Sequence, residues 1–192
     1  MGEWSPASRT HVAHMRGGDF YSSEQSVTLD KATKANIVFE NKQGKQTVLK
    51  ADLPLQEGEV LDGMFMSKKA LVKFFEDAIA DCENTGVMFS LHVKATMMKI
   101  SHPIVFGHAV KVFYKDLFDK YGELFDEIGV NPNNGLSSVV EKIKQLPESK
   151  QEQIQEDLHA CYEHRPEIAM VDSVKGITNL HVPSDVIVDA SM

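Results

Sequence analysis

Ser67-Lys-Lys-Ala-Leu-Val-Lys-Phe-Phe-Glu-Asp-Ala-Ile-Ala-Asp-Cys-Glu-Asn-Thr-Gly86 runs directly into Val87-Met-Phe-Ser-Leu-His-Val93. In the first stretch Ala70, Leu71, Phe74, Phe75, Ala78, Ile79 and Cys82 recur at spacings of three and four, with Ser67 ahead of them and Gly86 behind. That spacing predicts an amphipathic helix from Ser67 to about Asn84, capped by the serine and stopped by the glycine. The second stretch is a continuous apolar run of strand length, the pattern of a strand covered on both faces. A helix followed by a buried strand points to an α/β fold.

The flanking segments extend that pattern. Upstream, Ala35-Asn-Ile-Val-Phe39 and Gln46-Thr-Val-Leu-Lys50 alternate around Lys42-Gln-Gly-Lys45, which predicts a β-hairpin near the N-terminus. Glu59-Val-Leu-Asp62 is a third short strand, ending at Gly63. Downstream, Pro103 opens a second helix that is expected to run to about Tyr121, before Gly122. Asn131-Pro-Asn-Asn-Gly135 reads as a loop, and helical stretches follow over about 136–145 and 149–162. The tail returns to strand patterning at Ile168–Val171, Ile177–Val182 and Val186–Asp189. This order predicts a mixed sheet, parallel and antiparallel, flanked by helices. Residues 1–26 lack periodicity and read as an extended arm, leaving 27–192 as a single mixed α/β subdomain.

Composition narrows the partners. Of the 192 residues 42% are apolar and 25% charged, enough core-forming and ordinary enough in charge to exclude disorder along the whole chain. Twenty Lys and Arg against 28 Asp and Glu give a formal charge of −8. An acidic chain is poorly suited to nucleic acid or anionic membrane, which are bound largely through excess basic residues. Cys82 and Cys161 stand far apart, outside any Cys-x-x-Cys pattern, as expected of free thiols in a reducing compartment. The opening residues lack a signal-peptide layout and no apolar run is long enough to span a bilayer, so a cytoplasmic location is expected.

Few residue groups suggest chemistry. The pairs His102/His108 and His159/His164 have the wrong spacing to share a helix face as a zinc-binding pair does. Neither glycine-rich phosphate loop, Gly-x-Gly-x-x-Gly or Gly-x-x-x-x-Gly-Lys-Ser/Thr, occurs. Lys94 follows the apolar run, at the carboxyl end of the expected strand, where open α/β sheets place ligand crevices. There it could serve in acid/base work, bind a substrate carboxylate, or simply end the strand in solvent; Lys99 competes, and spacing does not separate the two. Asp189 closes Val186-Ile-Val in the same way, a place suited to Mg²⁺ or to a turn aspartate bonding local backbone. Asp185, beside Pro183-Ser184, fits the turn role, and the methionine pairs at 64/66 and 97/98 fit the core.

Three blocks carry a resemblance: Gly58-Glu-Val-Leu-Asp-Gly-Met-Phe-Met-Ser-Lys-Lys-Ala-Leu71, Phe89-Ser-Leu-His-Val-Lys-Ala-Thr-Met-Met-Lys-Ile-Ser-His-Pro-Ile-Val-Phe-Gly-His108, and Gly176-Ile-Thr-Asn-Leu-His-Val-Pro-Ser-Asp-Val-Ile-Val-Asp-Ala-Ser-Met192. Together they resemble the monomeric-type, NADP-dependent isocitrate dehydrogenases of bacteria. At His102 the family usually has Asp. The resemblance implies an internal segment of a longer monomeric enzyme, roughly half of its large domain. Its partners would be isocitrate and the remainder of the parent chain, and its cofactors NADP and Mg²⁺ or Mn²⁺. It also implies that Lys94 contacts substrate and assists an acid/base tyrosine elsewhere in the parent, and that Asp189 is a metal ligand. The NADP site, the tyrosine and further metal-site aspartates would lie outside these residues. The segment by itself is then expected to be inactive and to bind no cofactor tightly. A stand-alone module binding a small molecule or a protein is the alternative; a small metal hydrolase would need a second ligand near Asp189, and only Asp185 is close in sequence.

Overall fold

The computed structural model describes residues 3–94 and 97–181. They form a mixture of helices and small antiparallel sheets, the α/β character expected, with the hairpin in place. The chain divides into two compact units, Arg16–Ser67 and Met1–Met15 with Lys68–Met192.

The unit of residues 16–67 holds a short helix α1 (Phe20–Ser23) and strands β1 (Gln25–Thr28), β2 (Thr33–Glu40), β3 (Gln46–Leu55) and β4 (Val60–Gly63). β2 and β3 pair antiparallel from Thr33↔Leu55 to Glu40↔Gln46. At the tip, Asn41 Oδ1 accepts the backbone N–H groups of Gln43 and Lys45, both at 3.0 Å, and Gly44 takes the positive φ of 77° that this reversal needs. The register shifts beside Ile37, and opposite it Asp52 adopts φ 53° while its N–H donates to Asn36 Oδ1 at 2.9 Å. β1 and β4 form a separate antiparallel pair, Gln25↔Gly63 to Thr28↔Val60. No side chain between residues 16 and 67 is buried.

The other unit carries the core. α2 (Lys68–Thr85) buries Leu71, Phe75 and Ile79, four residues apart, as the periodicity predicts. α3 (Ser101–Phe113) and α4 (Lys115–Glu127) replace the single helix expected over 103–121. The break falls at Tyr114, at φ −101° and ψ 36°. Arg165 causes the interruption: its Nε–H donates to the Phe113 carbonyl at 3.0 Å, filling an acceptor that an unbroken helix would use itself. Tyr114 is fully buried, its hydroxyl 2.9 Å from that of Tyr162. Gly122 does not end α4, because Leu117, Tyr121 and Phe125 continue the buried face past it. Their burial outweighs a glycine penalty of about 1 kcal/mol. A 3₁₀ turn (Pro132–Asn134) follows, then α5 (Leu136–Ile143) and α6 (Glu148–Glu163), whose inner faces bury Leu136, Val139, Ile143, Ile154 and Leu158. Phe89, Phe113, Tyr114 and Tyr162 form an aromatic cluster where these elements meet.

The mixed sheet is not found among the described residues. β5 (Met170–Asp172) and β6 (Ile177–Thr178) are another antiparallel pair, so all three two-stranded sheets are antiparallel. The run Val87–Val93 is not a ladder strand. Its pairing is one isolated parallel bridge, Phe89 to Ile168. Only alternate contact is made inward: Phe89 is 6% exposed and Met88 beside it 53%. The expected strand Val186–Asp189 lies outside the described residues.

Candidate functional site

The run that ends in Lys94 is held irregularly but firmly. The Phe89 N–H donates to the Glu167 carbonyl at 2.9 Å, and the Phe89 carbonyl accepts from Asn179 Nδ2 at 3.3 Å. Asn179 N–H in turn donates to the Ala169 carbonyl at 2.8 Å, so residues 167–169 and 179 clasp residue 89. The buried ring of Phe89 stacks near Phe113, with ring centroids 6.2 Å apart. Beyond this clasp Ser90 Oγ lies 3.0 Å from His92 Nε2, and the chain reaches Lys94.

Lys94 is half-buried and its backbone is pinned on both sides. Its N–H donates to His102 Nδ1 at 2.6 Å, and its carbonyl accepts from the N–H groups of Met97 and Met98 at 3.1 and 2.9 Å. Lys99, the competing lysine, lies with Met97, Met98 and Ile100 in an exposed stretch before α3. Burial thus separates two lysines that sequence spacing leaves equivalent. Asp189 and Asp185 lie outside the described residues.

In the sequence His102 is one of a mispaired set of histidines and a position where the resembled family usually has Asp, and neither feature points to Lys94. Its contact with Lys94 carries no local signal, because the two are eight residues apart and share no periodic pattern. Pro103 in the first turn of α3 was the nearest hint, since it fixes where the helix begins. His108, six residues further along α3, has its imidazole held below the ordinary value by burial and by nearby Lys68 and Lys111. His181 is lowered by burial, against a bond from the Thr178 backbone. Among the described residues no three His, Cys, Asp or Glu side chains gather so as to hold a metal ion. They do not by themselves compose a metal centre.

A separate open cleft of about 560 Å³ lies between the end of α2, with Cys82, Glu83, Gly86 and Val87, and the chain leaving α6 at Glu163–Glu167. It does not include Lys94. Burial and neighbouring Asp81 push the Cys82 thiol above its usual range, so it is a poor nucleophile. Arg165 on its wall is engaged with the Phe113 carbonyl and with Asp116 at 3.5 Å. No described helix is long and apolar enough to cross a membrane.

The model of the family "Monomeric isocitrate dehydrogenase" matches residues 1–192. Among curated relatives, isocitrate dehydrogenase (NADP) 2 of Mycobacterium tuberculosis (strain ATCC 25618 / H37Rv) is 65% identical over 192 residues. The protein of the same name from Psychrobacter sp. (strain 13A) is 61% identical, and isocitrate dehydrogenase (NADP) of Azotobacter vinelandii 51%. Each alignment covers 100% of this chain and 26% of the relative, so the chain spans about a quarter of the length of the curated relatives it matches.

Proposed function

The chain belongs to the monomeric isocitrate dehydrogenase family, and from that premise we propose that it serves as a substrate-side part of a longer NADP-dependent enzyme. The reaction is oxidation of isocitrate at C2, with hydride passing to NADP⁺, followed by loss of the β-carboxylate as CO₂ to leave 2-oxoglutarate. The match along all 192 residues, at up to 65% identity to relatives named for NADP-dependent isocitrate dehydrogenase, is the observation that carries this reading.

In that reaction Lys94 brings a cation to the substrate. Its ammonium holds an oxygen of isocitrate and stabilises negative charge developing at the C2 oxygen as the carboxylate departs. A pre-organised donor of this kind supplies about 3–4 kcal/mol when it needs no reorganisation. The half-buried setting and doubly pinned backbone of Lys94 suit such a role better than the exposed setting of Lys99. Asp189, ending the apolar run Val186-Ile-Val, contributes one carboxylate to a site for Mg²⁺ or Mn²⁺ completed by residues beyond this chain. The nicotinamide cofactor is held elsewhere in the parent, since these residues carry no glycine-rich phosphate loop.

Two assays test the proposal. The full-length polypeptide carrying these residues is expected to form NADPH from isocitrate with Mg²⁺ or Mn²⁺, and the 192-residue chain alone is expected to form none. Absence of isocitrate-dependent NADP⁺ reduction by the full-length protein, or turnover by the short chain, would contradict it.

A further inference from the structure

We propose that His102 is the positioning residue for Lys94, an inference that rests on the role of Lys94 given above. His102 is bonded to the chain at two points, Lys94 and Met98. Its Nδ1 accepts the Lys94 backbone N–H at 2.6 Å, and its own backbone N–H donates to the Met98 carbonyl at 3.2 Å. The Lys94 carbonyl accepts from Met97 and Met98, so Lys94 and Met98 are tied to each other and both to His102. The ring is itself held in place. It is half-buried in the first turn of α3, and that helix is anchored by buried Phe106, Val110 and Phe113.

The chemistry of the bond is specific. Because Nδ1 accepts from a backbone N–H, the proton of the neutral ring sits on Nε2. The bond to His102 fixes the peptide plane before Cα of Lys94 and the bonds from Met97 and Met98 fix the one after it, and together they set the direction of the Cα–Cβ bond from which a four-carbon side chain must reach the substrate. Small errors at that root are carried to the ammonium, and a displacement of about 1 Å at a catalytic group costs about 10²-fold in rate. His102 touches neither substrate nor cofactor and acts through the lysine backbone alone.

The test uses the full-length enzyme. His102→Leu removes the acceptor, whereas His102→Asn places an amide oxygen where Nδ1 stood, and His102→Gln moves that oxygen one bond further out. His102→Leu and His102→Gln are expected to lower kcat for isocitrate by up to about 10²-fold with the KM for NADP⁺ unchanged, and His102→Asn to stay near wild type. In a Lys94→Met background, His102→Leu is expected to add no further loss. If His102→Leu does not accumulate as folded protein, the Asn and Gln variants decide the matter: equal activities, or Gln above Asn, overturn the proposal. It is also overturned if His102→Leu keeps wild-type kcat while Lys94→Met is inactive, or if the losses in the double variant simply multiply; the reading of Lys94 survives either result. Wild-type activity in Lys94→Met would instead remove the reading of Lys94 itself.

Discussion

His108 and His181 both sit where a charged imidazole is disfavoured, and this gives the fold a pH dependence of definite sign. Their folded-state values are lowered, His108 by burial and the lysines at 68 and 111, His181 by burial. The unfolded chain, titrating at about 6.5, therefore binds more protons than the folded one just below that pH. Stability rises with pH through this window and falls as the pH drops below about 6.5, levelling once the lowered folded values are passed. Asp157, lowered by its bonds from Lys120 and Tyr121, acts in the same direction but only below about pH 4. Urea midpoints of the 192-residue chain are thus expected to fall between about pH 7.5 and 5.5, with the slope reduced in His108→Gln and His181→Gln. A midpoint that rises on acidification, or a slope untouched by both substitutions, would contradict this.

Elements differ in how they use glycine, and two substitutions measure it. Gly107, in α3, faces the 3₁₀ turn so closely that an added Cβ would lie 2.0 Å from Asn133 Oδ1 and 3.0 Å from the Asn133 backbone nitrogen. Gly122, in α4, has nothing within 4 Å of that position. Gly122→Ala should therefore stabilise by about 0.5–1 kcal/mol through helix propensity. Gly107→Ala should destabilise by about 1–3 kcal/mol through overpacking. Urea unfolding of the two variants checks both, and equal effects would contradict the packing of α3 on the turn. The same elements explain what could be read from sequence. α2 and the hairpin were readable because Leu71, Phe75 and Ile79, or the alternation around Gly44, encode their geometry within a few residues. The break at Tyr114 was not, since the group that causes it, Arg165, is 51 residues away. Val87–Val93 looked like a strand buried on both faces because apolar content does not reveal that its partners are the loop at 167–169 and the side chain of Asn179. At the candidate site, Lys94 stands out by its place after that run, but only burial distinguishes it from Lys99, and its N–H bond to His102 has no sequence pattern to announce it.

Across the whole molecule the two units differ in what holds them. Residues 68–181 contain most of the core, including fully buried Val110, Phe113 and Tyr114, whereas no side chain in 16–67 is buried. A two-stranded hairpin without a covered face is marginal in water, so amides of β2 and β3 should exchange with solvent far faster than those around Val110 and Phe113. Equal protection in both would contradict that division. The proposed role of Lys94, a catalytic lysine supplied by this segment to an isocitrate dehydrogenase, is decided by Lys94→Met in the full-length enzyme, measured beside Lys99→Met. Methionine keeps much of the lysine's length and removes its charge. Both variants are expected to keep the wild-type melting temperature, Lys99→Met to keep near-wild-type kcat, and Lys94→Met to lose about 10²–10³-fold in kcat. Lys94→Met turning over at the wild-type rate, or Lys99→Met alone losing activity, would contradict it.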